Sequence, residues 1–186
     1  MSLHPCDVSV GVFIRGLTNL KAQLIKAEAH AGARGSDAAA LLDARLAQDA
    51  GAGDVASDAR YDLHTYTLAA QVHWAAEGAR LAIARIVGAR AIPAASGAKS
   101  FLDLHECIDA TVANLREIAA ADIEAGLRRT IVVEHRRRSV TTTGGQFLLA
   151  YAIPHFFYHV TTAYDILRSQ GVRLTMGDLL GDWGSA

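Results

Sequence analysis

Apolar positions along this chain fall into stripes with steps of three and four residues, the repeat that keeps side chains on one face of an α-helix. Val10, Phe13, Leu17, Leu20 and Leu24 make the first stripe, with Asp7 placed to cap it and Gly32 and Gly35 to stop it. A first helix of about seven turns is predicted. Ser36 opens a short helix through Leu46, and residues 49–58, rich in Gly, Ala and Asp without periodicity, form a loop. A second long helix is predicted over 61–87, with Leu68, Val72, Ala75, Ala79, Ala82 and Ile86 as its seam; residues 88–97, with Pro93, end it. Ser100 caps a third, whose stripe is Phe101, Leu104, Ile108, Val112, Leu115 and Ile118 and which is expected to stop before Gly126.

The pattern then changes. Residues 130–133 and 139–143 are β-branched runs on either side of His135-Arg136-Arg137-Arg138, which predicts a hairpin with a basic tip. A fourth helix is predicted over 144–171, with Leu148, Tyr151, His155, His159, Thr162 and Ile166 on its inner face. Pro154 cannot donate to the Ala150 carbonyl, so this helix is kinked there or begins there. The tail through Leu180 should form a short turn across one end. Each long helix has one apolar stripe that only its neighbours can cover, so the fold class is all-α: a four-helix bundle with a small β-hairpin between helices three and four, one domain over 1–186.

Composition narrows the function. With 186 residues, 51% hydrophobic and 20% charged, the chain can bury a real core. A net charge of −1 provides no global field for nucleic acid or an anionic membrane, and neither partner is expected. Cys6 and Cys107 form no CxxC pair, which fits a reducing compartment and two ordinary thiols. The stretches of apolar residues fall short of the roughly 18 needed to span a membrane. A cytoplasmic protein is expected.

The candidate chemistry is the pair His155 and His159, one turn apart on the predicted inner face of the fourth helix. Two inward imidazoles are either hydrogen-bonded core residues or ligands, and metal ligation is the commonest use of such a pair. The other histidines fare differently. His30 is expected to cap or pack near the end of helix one, His64 to lie at the surface, and His105 and His135 to have no partner by spacing. Arg128, Arg129 and the basic hairpin tip read as solvated charges. Trp74, Phe156, Phe157 and Tyr158 read as core or dimer interface, and with the alanine-rich second helix they motivate a homodimer.

Four stretches carry a resemblance: Val12-Phe-Ile-Arg-Gly-Leu-Thr-Asn-Leu20, Lys26-Ala-Glu-Ala-His-Ala31, Leu41-Leu-Asp-Ala-Arg-Leu46 and His159-Val-Thr-Thr-Ala-Tyr-Asp-Ile-Leu-Arg168. Nearly the whole chain resembles a bacterial family of unknown function in the DinB/YfiT-like metalloenzyme superfamily. The resemblance implies a DinB-like four-helix bundle, often dimeric, in a superfamily whose better-known members hold a divalent metal on one histidine from helix two and two from helix four. It also implies a link to thiol-dependent transferases and a maleylpyruvate isomerase. On that pattern His155 and His159 match the helix-four pair and His73 the remaining ligand, although family relatives tend to carry amides where this chain has His73 and His155. Three neutral imidazoles suit Zn²⁺, Ni²⁺ or Fe²⁺ at about 2.0–2.2 Å and leave a position open. Ala69, Ala70 and Ala76 leave room around His73, and Glu77, one turn on, is a candidate base or orienting group. Two function classes follow: a metal-dependent enzyme acting on a small molecule, or a non-catalytic dimeric bundle that binds a small ligand through structural histidines.

Overall fold

A computed structural model describes residues 4–35, 38–46, 66–90, 97–135 and 138–182. Helix α1 (Val10–Arg34) follows a turn in which the Ser9 hydroxyl bonds back to the Pro5 carbonyl at 2.6 Å instead of capping. Asp7, expected as the cap, lies in that turn, and Gly35 closes the helix in the left-handed conformation that only a residue without a Cβ adopts freely. Helix α2 (Ala38–Leu42) is one short turn ending before Leu46, and Ser36, its expected cap, lies outside the described residues, as does 49–58. Helix α3 (Leu68–Val87) starts where the Thr67 hydroxyl accepts from the Ala70 N–H; residues 61–65, the expected start, are also outside the described set.

The third predicted helix is two. Helix α4 (Phe101–Arg116) opens with a capping box between Ser100 and Asp103, and after a break at 117–119 helix α5 (Ala120–Arg128) runs on through Gly126. Gly126 is a contact, not a stop: a Cβ there would stand 2.4 Å from the Ile86 carbonyl oxygen at the end of α3. The break turns α5 so that fully buried Ile123 and Gly126 meet α3. Strands β1 (Thr130–His135) and β2 (Arg138–Thr143) form the antiparallel hairpin, with Val133 opposite Val140; residues 136–137 of its basic tip are outside the described residues.

The last long helix is continuous but not uniform. Thr143 caps α6 (Gly144–Phe147) in a reciprocal pair with Gln146. The helix then widens into one π-helical turn, Leu148–Ala152, where the Ile153 N–H reaches the Leu148 carbonyl five residues back, and returns to α-helix as α7 (Ile153–Ser169). Pro154 sits in the first turn of α7, so its missing donor falls where the ladder has already loosened, and the chain passes it without a break. Helix α8 (Met176–Leu180) folds back on α1, held by the Asn19 and Gln23 side-chain amides donating to the Leu179 and Asp178 carbonyls and by a Lys26–Asp178 ion pair.

Helices α1, α4, α3 and α7 pack in that cyclic order, α3 lying between α4 and α7. The stripes read from the sequence meet inside: Phe13, Leu17, Leu20 and Leu24 of α1, Val72, Ala75 and Ala79 of α3, Leu104 and Ile108 of α4, Phe156 and Val160 of α7. Among the described residues no helix is long and apolar enough to cross a membrane.

Candidate functional site

His159 lies on the inner face of α7 with 1% of its surface exposed. Its Nδ1 is 2.7 Å from Oε1 of Gln71, a polar residue in the α3 seam, also buried. With that amide oxygen facing it, Nδ1 carries the ring proton and donates, which leaves the Nε2 lone pair exposed to the other side. Facing it, 3.4 Å away, is Nε2 of His155. His155 is half-buried against Gly78 of α3, where an added Cβ would stand 3.4 Å from its Nδ1. Its ring stacks on Tyr151 with ring centroids 5.3 Å apart and planes 17° from parallel.

Burial, joined by the neighbouring His155, pushes the His159 imidazole down to about 3. It is therefore neutral at physiological pH and resists protonation. A histidine that titrates near 6.5 in the unfolded chain but not in the folded one takes up a proton on unfolding below 6.5, so stability is full above that pH and falls as pH drops toward 3. In metal-free protein this group alone removes about 1.4 kcal/mol per pH unit across that window. Urea unfolding at pH 7 and 5 should show it, and His159→Gln should flatten the slope by about one proton; an unchanged slope would mean that the imidazole is solvated in the native state.

His73 does not join this pair. It faces the other flank of α3, where a cavity of about 370 Å³ between α3 and α4 is lined by His73, Arg80, Asp103, Glu106, Cys107 and Thr111. Burial lowers the His73 pKa and Arg80 lowers it further, against the opposing effect of Glu77. Burial and the Glu77 charge push the Cys107 thiol up, so it is a poor nucleophile. Among the described residues no group of three or more His, Cys, Asp or Glu side chains is arranged to hold a metal ion. Glu77 belongs to the α4 side too. Its buried carboxylate accepts from Arg80 Nη2 at 2.7 Å and from Nε at 3.0 Å, an ion pair within one turn of α3.

His105, expected to lack a partner, meets Glu28 of α1 at 2.9 Å, a cross-helix contact that spacing on one helix cannot show. His30 is half-buried beside Gly171, and His64 lies outside the described residues. Arg128 pairs with Glu124, and Arg129 donates to the Val87 carbonyl at 2.9 Å. Phe156 is fully buried, whereas Trp74 is 38% exposed and stacks on Tyr66. Gln71 is a site residue that helix spacing alone does not single out; its one signal is an amide three residues after Leu68 and four before Ala75 in an otherwise apolar seam.

On the open side of the histidine pair lies a second cavity, of about 190 Å³, between α3 and the segment running from α6 into α7. Trp74, Gly78, Arg85, Phe147, Tyr151 and His155 are among its walls. Phe147, Tyr151 and His155, spaced four apart, stack in sequence, the first pair at 5.6 Å and 20°. The Arg85 guanidinium rests 5.5 Å over the Phe147 ring.

Four packed helices with a hairpin leading into the last define a DinB-like helical bundle. The crystal structure of a DinB family member protein from Shewanella denitrificans matches with a TM-score of 0.80 at 29% identity, over 97% of this chain and 93% of that one. The chain belongs to the family described as Domain of unknown function (DUF1993), whose profile matches residues 6–180. No curated protein matches.

Proposed function

We propose that this chain is a divalent-metal-dependent enzyme of the DinB type whose ion is held by His155 and His159, with further positions open to water and a small substrate. The observation that carries this reading is the 3.4 Å between the two Nε2 atoms. It is loose for a hydrogen bond. An ion about 2.0–2.1 Å from each of two imidazoles at a tetrahedral angle sets the nitrogens about 3.3–3.4 Å apart, so the separation suits two ligands of one ion. The chemistry of the donors agrees: neutral imidazoles suit Zn²⁺, Ni²⁺ or Fe²⁺, and Gln71 fixes the His159 tautomer that leaves Nε2 available. His73 does not fit as the third ligand, because it lines the cavity on the opposite flank of α3. A bound ion in such a site polarises a carbonyl or activates a thiol or water. The residues of the chain hold the ligands in place, exclude water behind His159 and leave His155 facing the smaller cavity. Likeness to the DinB group suggests thiol-dependent transferase or isomerase chemistry.

The Gln71–His159 bond also favours a second reading, in which the pair is structural and the bundle binds a ligand without catalysis. The two readings separate on protein purified without an affinity tag and then demetallated. Zn²⁺, Ni²⁺ or Fe²⁺ at a hundredfold excess over its dissociation constant should add about 2.7 kcal/mol of stability. His159→Ala should abolish that increment. A melting temperature unmoved by all three ions would leave the structural reading.

A further inference from the structure

We infer that the cleft beside His155 takes a small carboxylate with a flat unsaturated or aromatic body, its carboxylate on Arg85 and its body along the Phe147–Tyr151–His155 stack. The inference deepens the proposed function and rests on it only for what happens after binding. Size comes first. A cavity of about 190 Å³ is below the range of drug-sized sites, roughly 300–1,000 Å³, so the ligand is small. The walls set its body, because Trp74, Phe147, Tyr151 and His155 supply ring surface to the cavity and the remaining lining includes Leu81 and Ala82.

Charge sets the other end. Arg85 is the cation in this lining, and no carboxylate pairs with it among the described residues; its guanidinium lies over the Phe147 ring. A cation in the last turn of α3 is favoured by the helix dipole. Among the described residues no carboxylate matches its forked donors, and a ligand carboxylate is the group that fits such a fork in two parallel bonds. Glu77–Arg80 shows the contrast within the same helix, where the arginine is already occupied. A ligand held by Arg85 against Phe147 follows the stack by way of Tyr151 to His155, which brings its far end to the ring whose Nε2 faces His159.

Calorimetric titration of demetallated protein with benzoate and with the uncharged benzyl alcohol tests this. Benzoate should bind saturably and benzyl alcohol much more weakly. Arg85→Met should weaken benzoate about tenfold or more, and Arg85→Lys should keep part of the affinity, which separates loss of the charge from damage to the fold. Absence of saturable benzoate binding, equal binding of the two probes, or an Arg85→Met variant that binds benzoate as well as the parent would each overturn the inference. The metal ions supply the independent arm. A melting temperature unmoved by zinc, nickel and ferrous iron alike, alongside Arg85-dependent benzoate binding, keeps the cleft and removes the metal, and the converse result removes the cleft alone.

Discussion

Phe156→Ala should lower the unfolding free energy by about 3–5 kcal/mol, the range for truncating a buried aromatic. The ring is fully buried in α7, edge-on to Phe13 of α1 with centroids 5.0 Å apart, and at 5.1 Å from Phe157. It is seated on Gly16: a Cβ there would lie 2.5 Å from Phe156 Cε1. Gly16→Ala alone should therefore destabilise by overpacking, by about 1–3 kcal/mol. In the Phe156→Ala background the same methyl enters vacated space, so the double variant should be more stable than the sum of the two losses predicts, with a coupling of about 0.5–3 kcal/mol. Urea unfolding of the four proteins measures it, and strict additivity would show that the two residues do not share this contact.

The second large effect concerns the buried ion pair. Arg80→Met takes the cation from a carboxylate whose side chain is only 6% exposed, and it should cost about 3 kcal/mol, the lower end for breaking such a pair, because Arg80 itself is 16% exposed and water can enter. Glu77→Gln combined with Arg80→Met removes both charges and should recover most of that loss. If the double variant is no better than Arg80→Met, the loss comes from the packing of the arginine stem and not from the charge on Glu77.

Spacing made the four stripes legible because each reports which face of its own helix is apolar, and an apolar face must be covered. It also put His155 and His159 one turn apart on one side of the last helix, where His159 is buried and His155 half-buried. What spacing cannot report is which neighbour covers a given face. Helix α3 is packed on two sides, by α7 and by α4, and His73 is two residues beyond Gln71, about 200° around the axis at 3.6 residues per turn. Gln71 consequently meets His159 while His73 meets the Cys107 cavity. The same limit hid the His105–Glu28 contact. The break after Arg116 was illegible for another reason: no Gly or Pro marks 117–119, and the turn there is imposed by the seat that Ile123 and Gly126 find on α3. Gly126 was visible as a glycine, yet only the fold shows that it serves close approach of two backbones.

The π turn at Leu148–Ala152 fixes a count. It takes up about one residue more than an α turn, and one residue is worth about 100° of rotation around a helix axis. At its upstream end Gly144 is locked, since a Cβ there would stand 2.2 Å from the Gly126 carbonyl oxygen; downstream, His159 is locked by Gln71. With both ends held in phase, the number of residues between them is as constrained as their identity. Shortening the segment by one is compatible with both anchors only if the wide turn reverts to α-helix, and lengthening it by one only if a second wide turn appears. A chain of this fold that differs here by a single insertion or deletion should therefore differ in helical pitch, and otherwise its histidine pair should point away from the core.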